Sequence, residues 1–143
     1  MNESVIKALV TTDQLRPRQF DRRKVRSMVQ AAQENADILK SIPLTDATAT
    51  LLFRETYESI RQLGDALWWS KGYEPRNHDV SMEILRHVAI KESVLLNHLP
   101  RFKSIRNDAN YRGYKVTLAQ AREIRDFWER CGQELAAQLL KEL

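Results

Sequence analysis

Nine consecutive residues, Arg106-Asn107-Asp108-Ala109-Asn110-Tyr111-Arg112-Gly113-Tyr114, hold the side chains of this sequence best suited to chemistry. An arginine offers a permanent charge on a planar fork that matches phosphate oxygens. Asn and Asp supply hydrogen-bonding groups, and two phenols can donate a hydrogen bond or stack on a base. Helix interiors rarely collect Asn, Asp and Gly this densely, because those side chains compete for backbone hydrogen bonds and Gly costs entropy. The stretch therefore reads as a helix end passing into a tight connection. Two readings follow: a patch where polar groups converge on a ligand, or a polar turn capped by its own Asn and Asp.

The elements that must position it are helical. Only four Gly and four Pro occur in 143 residues, and Leu, Ala, Glu, Gln, Arg and Lys dominate between them. Glu3 to Val10 predicts a short leading helix, with Thr11 to Pro17 as a connector. From Asp21, a good N-cap, Val25, Met28, Ala32, Ala36 and Leu39 recur at helical spacing. Pro43 ends that helix, and Thr45 or Asp46 caps the next, whose apolar face is Ala49, Leu52, Phe53, Ile60, Leu63 and Leu67. It stops at Lys71-Gly72, where Gly suits the position after a helix. A third segment carries Val80, Ile84, Leu85 and Val88, then Leu95, Leu99, Phe102 and Ile105, with a break expected between Val88 and Pro100. Thr117-Leu118-Ala119-Gln120 reads as a capping box opening a last helix with Ala121, Ile124, Trp128, Cys131, Leu135 and Leu139 inward. These patterns predict an all-α fold: an antiparallel up-down four-helix bundle with a short extra N-terminal helix. One domain over 1–143 is expected, its core about 20–141, with 1–19 as N-terminal helix and connector.

Hydrophobic residues make up 43% and charged residues 29%, which excludes wholesale disorder. No apolar run approaches the ~18 residues of a membrane span, and the first residues lack a signal-peptide core. The single Cys131 and these features lead us to expect a cytoplasmic protein with no membrane partner. Three scattered His and one Cys have no metal-ligand spacing, so neither metal nor cofactor is expected. The net charge of +4 tolerates an acidic partner such as RNA without requiring one.

The order of the helices, the turn Gly-Tyr-Glu-Pro-Arg-Asn-His (72–78) before the third segment, and Arg-Asn-Asp-Ala-Asn-Tyr-Arg-Gly-Tyr-Lys-Val-Thr (106–117) before the fourth resemble the HEPN domain family. The likeness is to its small single-domain prokaryotic members and covers roughly residues 20 to 141. That family's signature is an Arg, then a polar residue, then a His a few residues on. Arg106 and Asn107 match the first two, and Tyr111 stands where the His belongs. The resemblance implies a helical bundle that pairs as a two-fold homodimer around a shared cleft. It implies RNA or nucleotide as ligand, with Arg106, Asn107 and Tyr111 as the catalytic set and Arg112, Lys115, Tyr114 and His78 as nucleotide- or RNA-binding residues. Many members are metal-independent endoribonucleases acting as toxins of toxin–antitoxin pairs; others accompany a minimal nucleotidyltransferase or bind without cleaving. In such cleavage a His exchanges protons near neutral pH and an Arg stabilises phosphate charge. A phenol, with a reference pKa of about 10, is a poor base there. Three readings stand: a ribonuclease-like toxin, a non-catalytic partner of a nucleotidyltransferase, and a structural dimeric adaptor.

Other residues have a second reading each. His78 is either a local structural residue or lies near the cleft, and His87 and His98 read as surface or packing residues. Trp68 and Trp69 point about 100° apart on a helix, so one is core and the other, if exposed, marks a dimer surface. The basic run Arg16, Arg18, Arg22, Arg23, Lys24 and Arg26 either tracks phosphates or forms a solvated face.

Overall fold

A computed structural model describes residues 1–143 and is mostly helical. Helix α1 (Glu3–Thr11) is followed by β1 (Leu15–Pro17), α2 (Arg22–Lys40), α3 (Ala49–Ser70), β2 (Tyr73–Pro75) and α4 (His78–Leu85). A 3₁₀ turn over Ser93–His98 leads into α5 (Leu99–Tyr111), and α6 (Leu118–Phe127) continues through a π-helical stretch (Trp128–Gly132) into α7 (Gln133–Lys141). None of these helices is long and apolar enough to cross a membrane.

The helix ends follow local chemistry. Asp21 caps α2 by accepting from Lys24 N at 3.1 Å, and Asn77 caps α4 by accepting from Val80 N at 2.9 Å. Thr117 and Gln120 form the reciprocal capping box of α6. Gly72 ends α3 with φ +87°, a region that favours glycine. The start of α3 differs from expectation. Thr48 holds the N-cap position without a side-chain bond to the helix; its hydroxyl instead donates to Pro43 O at 2.6 Å and bonds Thr45. The break expected in the third segment is present, and it is wide: α4 stops at Leu85 and α5 starts only at Leu99, with Pro100 in its first turn.

Helix α3 is the central rod, packed against α2, α4, α5 and α6. Asn35 of α2 meets Ser59 of α3, and further back along α2 Lys24 meets Trp69, further forward along α3, so the two run antiparallel. The α6–α7 rod runs the same way as α3: Val116 N donates to Thr50 Oγ1 at one end, and Leu135 and Leu139 share a hollow with Leu67 and Lys71 at the other. Phe102 joins α5 to both neighbours, edge-on to Phe53 at 6.0 Å and to Phe127 at 5.4 Å. Trp68 is the core member of its pair, its indole donating to Val80 O at 2.9 Å. Trp69 is half-buried, with the Lys24 ammonium 3.6 Å above its ring.

The connector after α1 holds a strand that periodicity does not reveal. Leu15–Pro17 pairs antiparallel with Tyr73–Pro75, Arg16 opposite Glu74. Three residues are too few to show an alternating pattern, and each strand contains a proline, which lacks a ladder donor. Flanking bonds, Arg18 N to Gly72 O at 2.8 Å and Arg76 N to Gln14 O at 2.9 Å, complete the tie.

Candidate functional site

Three helices bring charged and polar groups together beside the core. From α3 come Tyr57, Glu58, Arg61 and Asp65, spaced to share one side of the helix. All three guanidinium nitrogens of Arg61 are engaged. Its Nε donates to Glu58 Oε2 at 3.1 Å and its Nη1 to Asp65 Oδ2 at 2.6 Å, while Nη2 holds the other Glu58 oxygen. The bond to Glu58 holds the guanidinium pKa above its usual value. Asp65 also accepts from the Ser81 hydroxyl of α4.

Helix α4 reaches this place because α3 has no side chain where the two cross. A Cβ at Gly64 would collide with the backbone carbonyl of Ser81, so glycine permits the close approach. The contact and the Asn77 cap set His78 at the first position of α4. His78 is exposed at the surface, and partial desolvation, followed by the Arg61 and Arg106 guanidinium groups, pushes its imidazole pKa below its ordinary value. Its neighbour Asp79 pairs with Lys103 of α5 at 2.5 Å.

Helix α5 supplies Arg106. Its guanidinium carbon lies 5.6 Å from the Tyr57 ring centroid, and Nη1 donates to Asn107 Oδ1 at 3.2 Å. Arg106 is half-buried and pairs with no carboxylate, unlike Arg61 and Lys103 around it. Two polar atoms nearby also lack partners in the chain: the Tyr57 hydroxyl and, one turn beyond Arg106, Asn110 Oδ1. Tyr57 is only 1% exposed. Burial pushes its phenol up to about 12, against the pull of Arg106. Buried polar groups are rarely left unpaired, yet neither atom finds a partner within the chain.

The residues expected from sequence divide into two groups. Arg106, Asn107 and His78 belong to this cluster. Tyr111, five residues past Arg106, points about 140° away around the helix and is 77% exposed. Arg112 is exposed and reaches Asp108 at 3.9 Å, and Tyr114 and Lys115 are exposed beyond Gly113, which turns the chain with φ +69°. Tyr111, Arg112, Tyr114 and Lys115 thus form an outer edge at the end of α5, separate from the Arg106–Tyr57 face.

Tyr57, Glu58, Arg61, Asp65 and Ser81 are absent from the sequence expectation. The available signal is Gly64, a glycine inside a helical pattern that marks a close approach, with Arg61 and Asp65 next to it.

The remaining reactive groups do other work. Cys131 is buried, and burial pushes its thiol up to about 11, so it stays protonated at neutral pH. His98 lies over Phe102, and His87 stands 3.6 Å from Glu83 on the surface. No three His, Cys, Asp or Glu side chains converge into a group that could hold a metal ion. The cluster can offer an oxygen-rich ligand one unneutralised guanidinium, an amide and a neutral imidazole. Compared with protein-family models, curated proteins and solved structures, the chain has no match in any of the three.

Proposed function

We propose that this chain is a HEPN-type protein, an up-down four-helix bundle that binds RNA or nucleotide with a phosphate held at Arg106. One observation carries the reading. Arg106 is half-buried with no carboxylate partner, beside a buried phenol whose hydroxyl is also unpartnered. An arginine placed so loses hydration without gaining an ion pair, and a phosphate would supply it. The resemblance to the HEPN family adds the expectation of a cytoplasmic homodimer and of a cognate nucleotidyltransferase or antitoxin. Anisotropy of a labelled single-stranded RNA tests the binding: Arg106→Ala should weaken it at least about tenfold, the worth of a charge-assisted hydrogen bond. Unchanged affinity would remove the proposal.

A second reading, metal-independent endoribonuclease, draws support from His78. Its lowered pKa leaves the imidazole neutral at pH 7, the form that can take the ribose 2′-hydroxyl proton. The 2′-oxygen would attack phosphorus and the 5′-oxygen would leave with a proton from water. Arg106 would carry the phosphate charge. On this reading Tyr111, on the outer edge, binds rather than reacts. RNA cleavage in excess chelator, lost in His78→Ala and kept in Tyr111→Phe, selects it; no cleavage by the pure protein leaves the binding protein.

A further inference from the structure

The first turn of α2 carries Arg22, Arg23 and Lys24 and no acidic residue. That is the wrong end of a helix for cations, since the macrodipole places partial positive charge there, and only the Asp21 cap carboxylate offsets it. Arg26 adds a like charge one turn from Arg22, again unfavourable. None of these four pairs with a carboxylate, whereas Arg16 and Arg18 of the same run reach Asp13 and Glu74. All four are exposed.

Aromatic surface lies among them. Phe20, 45% exposed, and Trp69 line one shallow hollow with Arg22, Arg23, Lys24 and the cap residue Asp21, three cations to one carboxylate. Lys24 is seated on the Trp69 ring at 3.6 Å, which holds its ammonium in place and leaves the Phe20 ring as the open face. A second hollow shares Lys24 and continues along α3 past Asp65 and Gln62 to Arg61. Gln62 Oε1 there is buried without a partner. Arg61 and Arg106 both act on Tyr57 and His78, so the second hollow ends beside the Arg106 cluster. Along α3 alone, Trp69 to Tyr57 is about 18 Å at 1.5 Å per residue.

We propose that the Phe20, Arg22, Arg23, Lys24 and Trp69 surface is a second subsite for single-stranded nucleic acid, in which a base stacks on Phe20 and the three cations take successive phosphates. The ligand class rests on the phosphate reading of Arg106. Stacking combined with unpaired cations matches a single strand, whose bases present their faces while its backbone tracks a charged groove. A mononucleotide is too short to engage both places, so the ligand is an oligonucleotide. The anion also accounts for cations at the positive end of α2, a local rule broken at a cost that binding offsets.

The test is fluorescence anisotropy of a long labelled oligouridylate over a range of salt, with a mononucleotide measured by calorimetry beside it. Arg22→Ala/Arg23→Ala should weaken the oligouridylate about tenfold and flatten the salt dependence by about 1.4 in log–log slope, ~0.7 per lost phosphate contact. Its melting temperature should hold or rise, since a misplaced charge pair is gone, and the mononucleotide should bind as before. Phe20→Ala should weaken the oligouridylate with no change of slope. Unchanged affinity and slope in the arginine variant would overturn the proposal. So would polyglutamate competing as well as RNA, with Phe20→Ala silent, which marks a general anion surface. If Arg106→Ala leaves the mononucleotide untouched while the α2 variants still weaken RNA, the Arg106 reading fails and this surface stands.

Discussion

The guanidinium carbon of Arg106 stands 5.6 Å from the centroid of the Tyr57 ring, across the packing of α5 on α3. The ring is the buried member, and the cation above it has no carboxylate partner. A cation over an aromatic face is attracted by roughly 0.5–1 kcal/mol, which orients Arg106 without neutralising it. An oriented, unneutralised arginine is what a phosphate site requires.

Tyr57 should declare itself at high pH. Its folded pKa lies at about 12 through burial, above the reference value of 10.0. Its contribution to stability is therefore full below pH 10 and is lost as pH rises through 12, because the unfolded chain releases the proton first. Tyr57→Phe should flatten this alkaline loss. At neutral pH it should leave stability unchanged or raise it by up to about 1 kcal/mol, since the hydroxyl has no partner to lose. Denaturant unfolding at pH 7 and pH 11 reads both effects; a marked loss at pH 7 would show a hydrogen bond at that hydroxyl.

His78 should titrate below 6.5, first through partial desolvation and then through Arg61 and Arg106. With a folded pKa below the unfolded one, its contribution is present above pH 6.5 and is lost as pH falls through the folded value. Proton NMR of the imidazole should show the midpoint rising in Arg106→Ala, because one repelling cation is removed. An unmoved midpoint would separate His78 from Arg106.

Gly64→Ala should destabilise by about 1–3 kcal/mol, the cost of overpacking a close contact, because its Cβ meets the Ser81 carbonyl. The variant should also weaken RNA binding, since α4 carries His78. Urea unfolding supplies the first number; stability equal to wild type would mean that α4 does not approach α3 this closely.

Sequence logic reaches the helices and stops short of the cluster. Asp21, Gly72 and Thr117–Gln120 announce helix ends because a cap is a bond between near neighbours. The apolar faces of α3 and of the α6–α7 rod follow from period alone, and every residue expected inward there is buried. The β1–β2 pair joins segments far apart in the chain and is too short for a pattern. Arg106 stands out by composition, whereas Tyr57 looks like any aromatic on a core helix. Only the docking of α5 on α3 turns those two into neighbours. Tyr111 illustrates the converse: a motif spacing read along the chain sets it beside Arg106, and the helix turns it to the outside.

Whether Arg106 holds a phosphate is decided by calorimetric titration of a mononucleotide into wild type, Arg106→Ala and Arg106→Lys. Arg106→Ala should lose about 1.5–3 kcal/mol of binding, roughly 10- to 150-fold, with a melting temperature close to wild type. Arg106→Lys should recover part of that, since an ammonium restores charge without the planar fork. Wild-type affinity in Arg106→Ala, together with a sharply lowered melting temperature, would contradict the claim and make Arg106 a structural residue that fixes α5 on Tyr57.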